Sequence, residues 1–140
     1  MSNPEHIHRA LAALAPLGPS SPSFYDDEAP GDAPAPWFVG SLTMPEPKPN
    51  FAGGSHGGTA RWWITVAAET AASARVHAAS AIGAWSGARI AVDGYVLGAV
   101  VHRYANGPYR AGLTLTDTNL RFQVVRLGFD LTVSQTQVVV

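Results

Sequence analysis

Two segments of the chain alternate between apolar and polar residues, one near the middle and one near the C-terminal end. They span residues 61–69 and 120–133. Alternation with a period of two is the pattern of a strand with one buried face and one outward face. We therefore expect two strands of one sheet. Their predicted core residues are Trp62, Ile64 and Val66 in the first segment and Leu127, Phe129 and Leu131 in the second.

Two other segments change to the helical period, and together they predict the helices 4–15 and 70–86. Asn3 before Pro4 is a helix-start signal, because an N-cap side chain precedes a residue favoured at the first helical position. The second segment is rich in alanine on both sides, which favours close packing of the helix against a sheet. The predicted core of the two helices comprises Leu11, Leu14, Ile82 and Trp85.

Proline and glycine divide the remaining sequence. Residues 16–36 hold many prolines and no periodicity, which predicts a coil that leads into a strand at 37–42. Residues 43–60 combine a proline-rich half with the glycine-rich GGSHGG, and they separate two predicted strands. Such a long connection is usually functional or disordered. We expect it to be a projecting hairpin arm.

After the second helix the pattern is that of strands. Residues 88–104 predict a pair of strands joined by an Asp93–Gly94 turn, and residues 106–112 predict a turn-rich link. The complete pattern predicts an α+β fold, with a mainly antiparallel or mixed sheet, two helices packed on one face and a long hairpin arm. We expect one domain over residues 1–140, with 135–140 as a C-terminal tail.

Composition narrows the classes of function. Charged residues make up 14% of the chain, against about 25% in an ordinary soluble protein. The net charge of -1 gives no electrostatic footprint for wrapping nucleic acid. The absence of cysteine removes thiolate nucleophiles and thiolate metal sites. The N-terminal segment is apolar over too short a run to predict a signal peptide or a membrane span.

Candidate chemical groups are present, but they do not converge in the sequence. His6 and His8 point about 200° apart on a helix, so we expect scattered surface histidines and no metal site. The acids at 26–28 lack an alternating pattern of oxygen ligands, which favours a solvated loop. The Ser-His pair of GGSHGG lacks the strand-turn-helix setting of a nucleophile elbow. The sequence therefore predicts no catalytic, cofactor-binding or metal-binding residue, and no enzyme.

Two outward-facing aromatic features remain. One is a group of basic and aromatic side chains, Arg103, Tyr104, Tyr109 and Arg110, of the kind that binds single-stranded nucleic acid by stacking. The net charge of the chain opposes this use. Trp63 lies on the polar face of its strand. A large aromatic residue turned away from the core either contacts another protein or packs under a second layer of its own chain. With the low charge and the long arm, we favour an assembly protein.

The order of these segments resembles a known family. The chain has a short helix ending in ALAPLGP, the proline-rich YDDEAPGDAPAPWFV, a glycine-rich loop before RWWITVAAET, the helix AASARVHAASAIGAW and a closing DTNLRFQVVRLGFDLTV. Together they resemble the tail terminator, or tail completion, proteins of long-tailed bacteriophages, a minor tail protein family of the lambda type and its relatives.

The resemblance implies a structural virion protein without enzymatic activity. Its expected place is the neck end of the phage tail, after assembly in the host cytoplasm. It implies a homohexameric ring that caps the tail tube at full length and offers a surface to the head-neck connector. Its partners would be itself, the tail tube protein and a connector or stopper protein. DNA would pass through the lumen without specific binding, and no membrane is involved. Within this hypothesis we expect the subunit or tube interface to include Arg61, Trp63, Phe51, His56, Arg126 and Asp130.

Two alternatives remain open. One is a small ligand-binding or enzymatic α+β domain that uses the concave side of the sheet, with the 43–60 loop as a lid. The other is a neighbouring head-tail connector, such as a stopper protein. Self-association separates the first alternative from the ring hypothesis.

Overall fold

The structure is a computed structural model that describes residues 3–16, 22–29, 35–44, 48–49, 55–56, 58–110 and 122–135. Two helices and eight strands lie in these ranges. The helices are α1 (Pro4–Ala12) and α2 (Ala71–Trp85). The strands are β1 (Ser23–Asp26), β2 (Trp37–Thr43), β3 (Lys48–Pro49), β4 (Ser55–His56), β5 (Gly58–Ala68), β6 (Tyr95–Leu97), β7 (Val101–Arg110) and β8 (Gln123–Gln135).

Both helices begin after an N-cap residue whose side chain accepts a hydrogen bond from the first turn. The Asn3 side chain accepts a hydrogen bond of 3.0 Å from the Glu5 backbone N–H, and Pro4 takes the first helical position. Thr70 caps α2 in the same manner through the Ser73 N–H, at 3.0 Å. The expected helix at 4–15 ends earlier, at Ala12, and continues only as tight turns.

The main sheet has six strands and is mixed. Its order is β1-β2-β5-β8, and the outer edge of β8 is shared between β7 and β6. β1 pairs with β2 in parallel, and every other pair within this sheet is antiparallel. The predicted fold class, an α+β protein with two helices and a mainly antiparallel or mixed sheet, is confirmed.

The core lies between one face of this sheet and both helices. Trp85 at the end of α2 packs against the rings of Trp62 and Phe129, with centroids 6.0 and 6.3 Å away. Its Nε1–H donates a 2.8 Å hydrogen bond to the Leu11 carbonyl, which ties α2 to α1 inside the core. The predicted core residues are all buried except Leu14, which is partly buried, and Ile82, which is also partly buried.

Residues 16–36 were expected to be coil throughout, and this prediction is wrong for β1. Ser23–Asp26 pairs with the start of β2, opposite residues 37–40. Phe24 ties this strand to the core, because its partly buried ring stacks on Trp62 with centroids 6.3 Å apart. A four-residue strand between prolines has too few positions to present a period in the sequence.

The hairpin expected at 88–104 is also partly wrong. Residues 88–92 form no strand, and instead two backbone hydrogen bonds of 2.7 and 2.8 Å join residues 87 and 88 to Val100. The link expected at 106–112 is a strand up to Arg110, where the register against β8 shifts between Asn106 and Tyr109. An irregularity of this kind accommodates Pro108, which has no N–H to give to the ladder.

The hairpin arm expected at 43–60 is shorter at both ends, because Thr43 belongs to β2 and residues 58–60 belong to β5, where Ala60 is fully buried. The remaining region separates β2 from β5. Within it, β3 and β4 pair antiparallel, with Lys48 opposite His56. At the other end of the chain, β8 extends to Gln135, the first residue of the expected C-terminal tail. Neither α1 nor α2, the helices of the described ranges, is long and apolar enough to cross a membrane.

Candidate functional site: a cation-aromatic surface on the outer face of the sheet

The face of the sheet that lies away from the helices carries a group of arginine and aromatic side chains. Strand register creates the group. Gly128 of β8 lies opposite Trp63 on one side and Tyr104 on the other, while Asp130 lies opposite Arg61. We call this group the outer cluster, and its members are Arg61, Trp63, Arg103, Tyr104, Arg126, Gly128 and Asp130.

A bulge in β7 adds two adjacent residues to the cluster. Successive residues of a regular strand point to opposite faces. The register against β8 shifts between His102 and Tyr104, however, so this alternation is interrupted. Arg103 reaches Asp130 and Tyr104 reaches Trp63 on the same outer face, while His102 packs at 5.2 Å from Phe129. The cluster therefore depends on an irregularity that no alternation in the sequence announces.

Gly128 has no side chain and therefore leaves room for the two aromatic side chains. A Cβ atom added there would lie 2.9 Å from Trp63 Cζ3 and 3.1 Å from Tyr104 Cβ. The two rings meet edge to face above this glycine, with centroids 5.7 Å apart. Trp63 is consequently half-buried by side chains of its own sheet. These neighbours are Tyr104, Arg61 and Arg126, and Trp63 lies on the outward face that alternation predicted for it.

The cluster carries an excess of positive charge. Asp130 is bound on two sides, by Arg61 Nε at 3.2 Å from Oδ1 and by Arg103 Nε at 3.6 Å from Oδ2. Arg126 stacks over Trp63, with its guanidinium carbon 4.5 Å from the ring centroid. Three arginines therefore face one aspartate. A cavity of 220 Å³ opens between the aromatic residues and the ion pairs.

Four of the six predicted interface residues meet in the outer cluster: Arg61, Trp63, Arg126 and Asp130. Sequence analysis did not assign Arg103 and Tyr104 to this group. Simple alternation along β7 would place these two adjacent residues on opposite faces, so the sequence carries no signal that puts both in the cluster. The remaining two predicted residues are not placed in the cluster. Phe51 lies outside the described residues, and His56 belongs to β4 in the arm, where only its backbone is described.

His8 is not the surface histidine that the sequence predicted. It is 6% exposed and lies on the buried side of α1, with its ring edge-on to Trp62 at 5.3 Å between centroids. Its Nε2 is 2.9 Å from Asp26 Oδ1. The expectation failed because α1 packs directly on the sheet at this point, and the carboxylate at the end of β1 satisfies the buried ring nitrogen.

The acids 26–28 form an exposed turn at the end of β1. Asp27 has a φ of 65°, and its N–H donates a 2.8 Å hydrogen bond to the Gly40 carbonyl. All three acidic side chains are exposed, as a solvated loop predicts. In the described ranges, no group of three or more histidine, aspartate or glutamate side chains is arranged to hold a metal ion.

Fold and site together define an α+β protein with an arginine-rich aromatic surface on the solvent side of its sheet. No family model matches the chain, and no curated protein matches its sequence. Its structure is similar to a chain in the virion of a native gene transfer agent particle, with a TM-score of 0.59 and 22% identical residues. The match covers 89% of this chain and 84% of that chain. At this identity the likeness establishes a shared fold.

Proposed function

We propose that this chain is a structural protein of a phage-like virion, and that it forms a hexameric ring at the neck end of the tail tube. The ring caps the tube at full length and gives the head-neck connector a surface to join. The proposal draws on the fold shared with a chain of a gene transfer agent virion and on the family resemblance of the sequence.

The outer cluster is the single observation that carries an assembly role. Trp63, Tyr104 and Arg126 are held in one arrangement by Gly128 and by ring and guanidinium contacts, so little side-chain entropy remains to be lost on binding. Tryptophan, tyrosine and arginine are the residue types that dominate protein-protein binding energy. Tyr104 remains 43% exposed and the Arg103 side chain 64% exposed. A surface prepared in this way suits a contact with a neighbouring subunit or the tube protein.

The arm at 43–60 serves the same assembly. It connects β2 to β5, which are neighbouring strands of the main sheet. Segments of this kind commonly become ordered against a partner. In the ring, the near-neutral chain leaves the lumen weakly charged, and DNA passes without being held by its phosphates.

The alternative of a ligand-binding or enzymatic domain gains no support from the cavity in the outer cluster. This cavity measures 220 Å³, which is below the roughly 300–1,000 Å³ of common ligand sites. The charged groups in its lining, Arg61, Arg103 and Asp130, already pair with one another. A stopper protein at the same neck remains the closest competitor, since it would use an equivalent surface toward other partners.

Quantitative mass spectrometry of purified particles tests this function. A cap protein is expected at a low, fixed copy number per particle, close to that of the connector and far below that of the tube protein. Absence of the chain from washed particles, or a copy number that scales with tail length, would contradict the proposal. Tails made without the chain should vary in length and fail to join heads. A stopper, in contrast, would leave tail length uniform.

A further inference from the structure

The acidic turn (Asp26, Asp27 and Glu28) is as well defined as the outer cluster. Asp26 is fixed by His8 at 2.9 Å, although 64% of its side chain is exposed. The Glu28 N–H donates a 2.6 Å hydrogen bond to the Asp26 carbonyl, and the Asp27 N–H bonds to Gly40 across the parallel strands. Backbone bonds therefore fix the turn that carries these three exposed acidic residues at one edge of the sheet.

The turn does not bind the outer cluster of its own chain. β2 and β5 lie between β1 and β8, which places the two strands about 14 Å apart at ordinary strand spacing. Asp26 also points to the helical face of the sheet, where it meets His8, whereas the outer cluster lies on the opposite face. One chain thus carries an arginine-rich surface on the outer face of its sheet and an acidic turn at its edge strand, with Asp26 directed toward the other face.

The two surfaces are complementary in chemistry. The outer cluster has three arginines against one aspartate, and the turn has three carboxylates against one histidine. Guanidinium groups bind carboxylates through paired, charge-assisted hydrogen bonds. Arg61 and Arg103 keep 53% and 64% of their side chains exposed, so each can bind a second carboxylate besides Asp130. Val101, 40% exposed beside Asp130, adds an apolar rim.

We propose that the outer cluster of one copy binds the acidic turn of a second copy. The contact is heterologous, because it joins two different surfaces, and repetition of such a contact closes into a ring when the rotation allows it. The inference rests on the proposed ring function and identifies the contact that would build it. It also gives Asp130 a role, which is to hold Arg61 and Arg103 in position for the incoming carboxylates.

Cysteine cross-linking tests the contact directly, because the native chain contains no cysteine. One copy carries Ala29→Cys, next to the turn, and a mass-tagged copy carries Val101→Cys, at the rim of the cluster. Mild oxidation should give the mixed disulfide at least about tenfold faster than the control pair Ala29→Cys with Val76→Cys, as expected for a specific contact. Val76 is 65% exposed on α2 and belongs to neither surface.

Charge reversal then tests the chemistry of the contact. Arg103→Glu in the Val101→Cys copy should lower the rate by roughly tenfold, and Glu28→Arg in the other copy should restore most of it. The matched reversal Asp93→Arg, at an exposed turn elsewhere, should restore nothing. Equal rates for the two cysteine pairs, or rates unaffected by these reversals, would overturn the proposal.

Two further outcomes separate this inference from its alternatives. Binding of a single-stranded oligonucleotide to the native chain, lost in Arg103→Glu, would assign the cluster to nucleic acid and overturn the proposal. If cross-linking fails while the chain is present at cap stoichiometry in purified particles, the contact is wrong and the virion function stands. Absence from the particles would refute the virion function itself, whatever the cross-linking result.

Discussion

The close packing of the outer cluster around Gly128 predicts that alanine at this position destabilises the protein. The new methyl group would lie 2.9 Å from Trp63 Cζ3 and 3.1 Å from Tyr104 Cβ. Ordinary contact between carbon atoms is about 3.5–4.0 Å, so both neighbours must move. The Tyr104 Cβ is tied to its backbone, and the Trp63 ring is held by Arg126 stacked over it at 4.5 Å. Neither can move without losing contacts.

The expected change in the free energy of unfolding for Gly128→Ala follows from two opposing effects. Overpacking of a well-filled site costs typically about 1–3 kcal/mol. Replacing glycine by alanine in an ordinary backbone conformation returns about 0.4–1 kcal/mol through the unfolded state, and Gly128 has no positive φ. We expect a net loss of about 1 kcal/mol, which lowers the urea midpoint by roughly 0.5 M for a slope near 2 kcal/mol per M.

Gly83→Ala is the matched control, because it makes the same chemical change at an open position. A Cβ at Gly83, on the exposed side of α2, meets nothing within 4 Å. Alanine in a helix interior is better than glycine by about 0.8–1.0 kcal/mol, so this variant should be more stable than the native chain. Urea unfolding followed by circular dichroism measures both. Combining Gly128→Ala with Trp63→Ala should remove much of the Gly128→Ala cost. A Gly128→Ala protein as stable as Gly83→Ala would refute this account of the cluster.

Three further predictions concern the core and the arm. Trp85→Phe removes the N–H that donates to the Leu11 carbonyl at 2.8 Å, and it should lower the free energy of unfolding by about 1–3 kcal/mol. An unchanged urea midpoint would contradict the tie between the two helices. Phe129→Ala should lower the free energy of unfolding by about 3–5 kcal/mol, because the ring is fully buried against Trp85. A loss below about 1 kcal/mol would count against this packing. Deletion of residues 45–57, which leaves β5 intact, should leave the free energy of unfolding within about 0.5 kcal/mol of native, as changes outside the core usually do. The same deletion should impair the capping of tails, and uniform, head-joined tails seen by electron microscopy would show the arm to be dispensable.

The parts of the fold that sequence predicted well are those with a sustained period. β5 and β8 are long enough for alternation to separate their buried and outward faces. The buried residues of α2, which end at Trp85, recur at helical spacing, although the opposite side of this helix is also rich in alanine. Alternation along β5 correctly predicted that Trp62 lies on the core face of the sheet and Trp63 on the outward face. The central pair of strands and the helix over it were therefore predictable from local pattern alone.

The features that sequence missed depend on contacts between distant segments. β1 exists because Phe24 reaches Trp62, and its four residues carry no period of their own. His8 is buried because α1 happens to bring it over the same tryptophan, next to Asp26. Tertiary packing decided both outcomes, and no local propensity records them.

The candidate site was predicted in part for the same reason. Arg61, Trp63, Arg126 and Asp130 lie on regular strands, so alternation placed them on one outward face. The bulge in β7 then brought Arg103 and Tyr104 to that face, against simple alternation. Bulges change which residues share a face without leaving a composition signal, so the full cluster required the structure.

The most direct test of the central claim is electron cryomicroscopy of particles that contain the native chain, with averaging at the junction of tail and head. The ring proposal predicts six copies of this fold in one closed layer at the neck end of the tube. In that layer, the outer cluster of each copy faces the acidic turn of the next. Density for this fold at another position in the particle, or no density for it at the neck, would contradict the claim.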